Sequence, residues 1–181
     1  PGLREHTCVR CGEYEKTLFV TRPIRILTIG NSFSTLMCEK NALPKAAGLI
    51  GCYIDHAHLY KAGGKLSEVW ANRETADVYS FKTAFTSEFS SEEYPFSGLT
   101  SKPKILDVIK AYDWDIVTLQ QASVQSFKPD TYSPYLNNII DMIKTHAPNA
   151  KIVWQMTWSY GRFAKMTAHG INYGGNVYRR D

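Results

Sequence analysis

Apolar positions along the chain fall into two patterns, short β-branched runs and longer stretches where they recur every three or four residues. Ile24 to Ile29 is the first run; it ends at Gly30 and reads as a buried parallel strand. Helical spacing follows from about Ser34 to Leu49, where Pro44 predicts either two pieces or a late start. Tyr53 to Tyr60 is a second strand, closed by Gly63-Gly64, and Leu66 to Asn72 reads as a helix. Residues 80–100 are rich in Ser, Phe and Glu without a clear period and read as an irregular excursion. Ile105, Val108, Ile109 and Tyr112 share one helical face, and Asp115 to Gln120 forms a third strand. Tyr135, Leu136, Ile139, Ile140 and Ile143 mark another helix, stopped at Ala147-Pro148, before a fourth strand from Lys151 to Met156.

Strands that alternate with helices imply right-handed crossovers and an α/β fold, its parallel sheet covered on both faces. Such sheets bind ligands beyond the carboxyl ends of their strands. Four groups occupy those places: Gly30-Asn31-Ser32-Phe33-Ser34, Gly63-Gly64, Gln120-Gln121-Ala122-Ser123 and Thr157-Trp158-Ser159-Tyr160.

Residues 1–22 differ from the rest, being short, polar and the bearer of Cys8-Val9-Arg10-Cys11-Gly12. Thr21-Arg22-Pro23 reads as a linker, so the chain divides into a leader over 1–22 and one domain over 23–181. At 181 residues, 44% hydrophobic and 21% charged, the chain is long enough to bury a core, and no run approaches the ~20 apolar residues of a membrane span. The start has no signal-peptide pattern. A net charge of +4 with scattered Lys and Arg gives no basis for nucleic-acid binding. A single Cys-x-x-Cys is half of a zinc ribbon, and Cys38 and Cys52 lack the paired spacing that would complete it. No metal or cofactor is therefore expected, and Cys8 and Cys11 read as a disulfide or a free pair. Oligomeric state is not legible.

Chemistry concentrates at Gly30-Asn31-Ser32. A glycine lets the chain turn sharply, and a serine at the start of a helix has free N–H groups beside it to hold an oxyanion. The same residues also serve as an ordinary helix cap. Gly64, or Gly63, can bring a backbone N–H close to a bound carbonyl oxygen, or simply close a strand. Gln121 offers a side-chain amide as a further donor, with Gln120 the alternative. Trp158 and Tyr160 could form a flat wall for a sugar ring, or pack in the core.

Taken together, Ile26-Leu27-Thr28-Ile29-Gly30-Asn31-Ser32-Phe33-Ser34 resembles the first block of the SGNH (GDSL-like) hydrolases, in which Gly-Asp-Ser or Gly-Asn-Ser presents the nucleophile. Gly63-Gly64 resembles the second block, and Trp114 to Ser123 falls where the third belongs. With Thr157-Trp158-Ser159-Tyr160, the order is similar to a largely secreted bacterial branch of that superfamily. The resemblance implies a flavodoxin-like three-layer sandwich and a serine esterase acting on a small-molecule or carbohydrate ester, at the cell surface or secreted. Ser32 would be the nucleophile, next to Asn31, with Ser32 N–H, Gly64 N–H and Gln121 around the oxyanion. The third block departs from the usual Gly-x-Asn-Asp, so Gln in place of Asn is an inference.

A serine nucleophile needs a base within hydrogen-bond reach. The superfamily takes it from an Asp-x-x-His near the C-terminus, an element expected beyond Asp181, so the domain reads as incomplete. Asp55-His56-Ala57-His58 spells that string, but on a strand its ends point to opposite faces. His146 sits at a helix C-terminus, and His169 lies in a Gly-rich tail. The chain alone is expected to be weakly active or inactive, and a non-catalytic surface or carbohydrate-binding module is the alternative.

Overall fold

The computed structural model describes residues 2–19, 22–39, 41–86, 92–157, 167–168 and 171–172. Strands β1 (Gly2–Thr7) and β2 (Tyr14–Phe19) pair as an antiparallel hairpin in the leader, where no strand was expected. The main chain then runs β3 (Ile24–Gly30), α1 (Thr35–Glu39), α2 (Ala42–Leu49), β4 (Ile54–Tyr60), α3 (Leu66–Ala71), β5 (Ser80–Ala84), α4 (Ile105–Ala111), β6 (Ile116–Leu119), α5 (Tyr135–His146) and β7 (Lys151–Trp154). A further two-residue pair, β8 (Thr167–Ala168) and β9 (Ile171–Asn172), is antiparallel.

β3 to β7 form one five-stranded sheet in the order β5-β4-β3-β6-β7. β4, β3, β6 and β7 are mutually parallel, as the alternation of elements requires. β5 corrects the reading of residues 80–100 as wholly irregular: Ser80–Ala84 runs antiparallel on β4, so the sheet is mixed. Its sequence gave little sign of this because an edge strand with partly exposed faces needs no continuous apolar run. The break foreseen near Pro44 lies at Asn41, a left-handed residue between α1 and α2 that leaves Pro44 in the first turn of α2.

Strand alternation sorts the core into two. Leu27, Ile29, Ala57, Leu59, Val117 and Leu119 pack with Leu66, Val69, Ile105, Val108, Ile109, Ile139 and Ile143 in the larger cluster. Ile26 and Ile54 meet Ala47 of α2 in the smaller one. The result is an α/β sandwich with α3, α4 and α5 on one side and α1 and α2 on the other. The linker is tied down too: Arg22 grips Asp115 with two bonds of 2.7 and 2.6 Å, and Arg25 N–H donates to the same carboxylate at 2.9 Å.

Going out from β3, the chain builds β4 on one side and later β6 on the other. The sheet order therefore reverses at β3, and the carboxyl ends of β3 and β6 are the place where sheets of this kind have their crevice. Gly30-Asn31-Ser32 and Gln120-Gln121 end the two strands that border it.

Candidate functional site

The turn after β3 is exposed at one place, and Phe33 within it is half-buried. Gly30, Asn31 and Ser34 are buried, whereas Ser32 between them is exposed. Asn31 faces inward because its amide spans two loops: Nδ2 donates to Gly64 O at 3.1 Å, and Oδ1 accepts Phe33 N–H at 3.2 Å. Ser34 closes the turn with its backbone N–H and its hydroxyl both on Asn31 O, at 3.0 and 2.7 Å. From β7, Gln155 Nε2 reaches across to Phe33 O at 3.3 Å. Four polar side-chain contacts thus hold a serine whose own Oγ and N–H make no hydrogen bond to a described residue.

Gly30 is required by crowding. A Cβ there would run into Ser34 Oγ and stand 2.7 Å from Gln120 Nε2. The two glutamines divide as neighbouring residues on an extended segment must. Gln120 turns to the α1 side and donates to Ser34 Oγ at 3.3 Å. Gln121 turns to the opposite side, where Oε1 accepts Leu66 N–H at the start of α3 and Ala122 N–H, at 3.1 and 2.9 Å. Its Nε2 donates to the carbonyl and the hydroxyl of Thr131, both at 3.2 Å. Gln121 is thereby placed as a brace for α3, and Gln120 as the glutamine at the serine turn. Gly64 lies at the turn through its carbonyl, while its N–H is bonded to Lys61 O at 3.0 Å. Gly63 carries the positive φ of 61° that makes this second turn. Trp158 and Tyr160, as well as His169, lie outside the described residues.

Beneath the turn is a buried polar layer that the sequence reading did not assemble. His56 and His58, two apart on β4, face α1 together. His58 Nε2 lies 2.9 Å from Ser34 Oγ. His56 Nε2 lies 2.9 Å from Thr28 Oγ1 and 3.5 Å from Cys38 Sγ, and Thr118 donates to Thr28 at 3.0 Å. Burial pushes the His56 imidazole down to about 4. Burial does the same to His58, also to about 4, with smaller contributions from His56 and Lys82. Both rings are therefore neutral near pH 7. The signal was present in the sequence: histidines at i and i+2 on a buried strand must share one face. Asp55 points the other way, accepting Tyr112 OH at 3.2 Å and Thr86 N–H at 3.0 Å, so it makes no pair with His58.

Among the described residues no group of three or more His, Cys, Asp or Glu is placed to hold a metal ion, and no helix is long and apolar enough to cross a membrane. Residues 25–177 match the family described as domain of unknown function DUF4886. The fold is similar to the crystal structure of a DUF4886 family protein from Bacteroides uniformis, with a TM-score of 0.65 and 23% identity over 81% of this chain and 54% of that one. A protein from Slackia heliotrinireducens, described provisionally as an SGNH hydrolase, aligns with a TM-score of 0.47 and 19% identity over 77% of this chain and 59% of its own. The chain thus spans little more than half the length of either structure. A comparison with curated proteins gives no match.

Proposed function

Because the chain belongs to the DUF4886 family, described as a domain of unknown function, we propose its activity from the site itself: a serine ester hydrolase with Ser32 as nucleophile. One observation carries the reading. Ser32 is the single exposed residue among Gly30, Asn31, Ser32 and Ser34, in a turn braced by buried amides and hydroxyls at the sheet's crevice. A helix cap needs no such bracing, whereas a nucleophile gains from being held still.

In the proposed reaction Ser32 Oγ bonds to the acyl carbon as its proton passes to a base, and the carbonyl electrons move to oxygen. Ser32 N–H is uncommitted among the described residues and is the first donor for that oxyanion. Collapse expels the alcohol, and water then releases the acid from the acyl-serine. Gly64 N–H would join the oxyanion hole by leaving Lys61 O. Gln120 lies closer to the turn than Gln121 and is the better placed of the two amides. An acetylated or otherwise acylated carbohydrate outside the cell is the substrate class that the resemblance to SGNH hydrolases favours.

The second reading, a non-catalytic binding module, draws on a different observation. No described imidazole bonds to Ser32, and His58 is committed to Ser34 instead. Intact-mass measurement after excess fluorophosphonate separates the two. A single adduct on the chain, absent from Ser32→Ala, supports the hydrolase. No adduct on a folded chain removes Ser32 activation within these 181 residues and leaves the binding module, to be probed with acetylated glycans.

A further inference from the structure

One hydroxyl in the core lies against the second glycine turn with nothing to bond. Tyr79 belongs to the larger core cluster and is 1% exposed, yet its OH has no hydrogen-bond partner among the described residues. Buried hydroxyls are almost always bonded, because an unpaired one has given up water for nothing. Phenylalanine would fill the same space without that cost, so packing does not account for the oxygen.

Its position is specific. A Cβ built on Gly64 would stand 3.6 Å from Tyr79 OH and 3.1 Å from Lys61 O, so both oxygens face the same side of that glycine. Lys61 O accepts Gly64 N–H at 3.0 Å, while Gly64 O accepts Asn31 Nδ2 at 3.1 Å. Gly64 is thereby tied to Lys61 at one end and to the serine turn at the other. The Glu68 oxygens are committed elsewhere, Oε1 to Lys61 Nζ and Oε2 to Lys65 N–H, each at 3.0 Å. Burial, and after it the Glu68 charge, raises the Tyr79 phenol above its ordinary value, so it keeps its proton and remains a donor.

We propose that Tyr79 is a positioning residue for the oxyanion hole: its hydroxyl takes over Lys61 O and sets Gly64 N–H free to turn to the bound acyl oxygen. This role rests on Ser32 being the nucleophile of an ester hydrolase, a reaction for which Gly64 N–H is otherwise spent on Lys61 O. Freeing that N–H with no replacement would leave the carbonyl of half-buried Lys61 unpaired. With Tyr79 one hydrogen bond is exchanged for another. A carbonyl oxygen has two lone pairs, so Lys61 O can accept the phenol before it releases the amide. Gly63, at a φ of 61°, and Gly64 give the turn the backbone freedom to rotate.

Tyr79→Phe in the full chain tests the swap, because it removes the oxygen alone. Three quantities are read: the rate of fluorophosphonate labelling at Ser32, amide hydrogen exchange at Gly64, and the urea midpoint. The maximal labelling rate should fall about tenfold or more, with the half-saturating probe concentration little changed, as expected for a lost oxyanion donor. Gly64 exchange should slow several-fold more than that of Lys61 or Val69, since the state that releases its N–H has lost the second donor. The urea midpoint should stay level or rise, because the deleted oxygen had no described partner. Tyr112→Phe deletes a hydroxyl bonded to Asp55, and should lower the midpoint while labelling keeps its rate. Where the unaltered chain is labelled, either labelling or relative Gly64 exchange staying at its original value in Tyr79→Phe overturns the role. An unaltered chain that takes no label refutes the hydrolase reading, and Gly64 exchange, which needs no activity, then decides the swap by itself.

Discussion

Ser34 Oγ and His58 Nε2 stand 2.9 Å apart in the interior, and counting protons fixes who donates. The hydroxyl proton goes to Asn31 O at 2.7 Å, so Ser34 can only accept from His58 and from Gln120 Nε2. His58 then carries its proton on Nε2, and Nδ1 is left a buried acceptor without a partner among the described residues. Ser34→Ala would strand the His58 N–H and one Gln120 N–H together. The expected loss is about 1–3 kcal/mol, the usual cost of unpaired buried donors, read as a lower urea midpoint at unchanged slope. A midpoint equal to that of the unaltered chain would show that the pair contributes nothing.

Acid should unfold the protein through the same layer. His56 faces Thr28 and Cys38, while His58 faces Ser34, the ring of Tyr60 and its cross-strand neighbour Lys82. None of these is an anion that would stabilise an imidazolium. The unfolded imidazoles take protons near 6.5 and the folded ones only near 4, so the unfolded state binds more protons in between. Stability is therefore full above pH 6.5 and falls as pH drops toward 4, by on the order of several kcal/mol for the pair. Urea titrations across that range should show the slope, and His56→Gln with His58→Gln should flatten it between pH 6.5 and 4.

Gly30 and Gly48 make a matched pair of tests. A methyl at Gly30 collides with Ser34 Oγ and crowds Gln120, so Gly30→Ala should cost upward of about 2 kcal/mol. Gly48, in α2, has nothing within 4 Å of its added Cβ, and Gly48→Ala should gain about 0.5–1 kcal/mol from helix propensity. Thermal midpoints moving in opposite directions would bear this out, and equal shifts would refute it.

Gln120 and Gln121 should separate when Ser32 reactivity and stability are measured together. Gln121→Ala frees the N–H of Leu66 and that of Ala122, so stability should fall by roughly 1–3 kcal/mol. Gln120→Ala should instead slow fluorophosphonate labelling at Ser32 more than it lowers stability, if the turn it braces carries the nucleophile. Equal labelling rates in the two variants would count against that role for Gln120.

The clamp between Arg22 and Asp115 should behave unevenly. Both side chains are part-exposed, so Arg22→Ala is expected to cost no more than about 1 kcal/mol, and less at high salt. Asp115→Ala also removes the acceptor of Arg25 N–H, at the start of β3, and should cost more. Melting of both variants at low and high ionic strength checks the order.

The alternation of elements and the sheet's parallel body were legible in the residue pattern. Ile24–Gly30 is a strand because a largely β-branched apolar run closed by glycine has few other buried conformations, whereas Ile54–Tyr60 is buried although it carries Asp55, His56 and His58. The pattern also marked Ser32 for inspection, since residues after such strands line the crevice of an α/β sheet. The antiparallel β5 and the leader hairpin escaped it, because edge and two-stranded pairings are fixed by partners more than by local pattern. Packing alone settles which glutamine braces the serine turn, and that Thr28, Ser34, Cys38, His56 and His58 share one buried layer with half-buried Thr118 at its edge. Those residues come from four separate segments. Strand period says which way each side chain points, but only the packed sheet and α1 bring their polar atoms within hydrogen-bond distance, where leaving them unpaired would be costly.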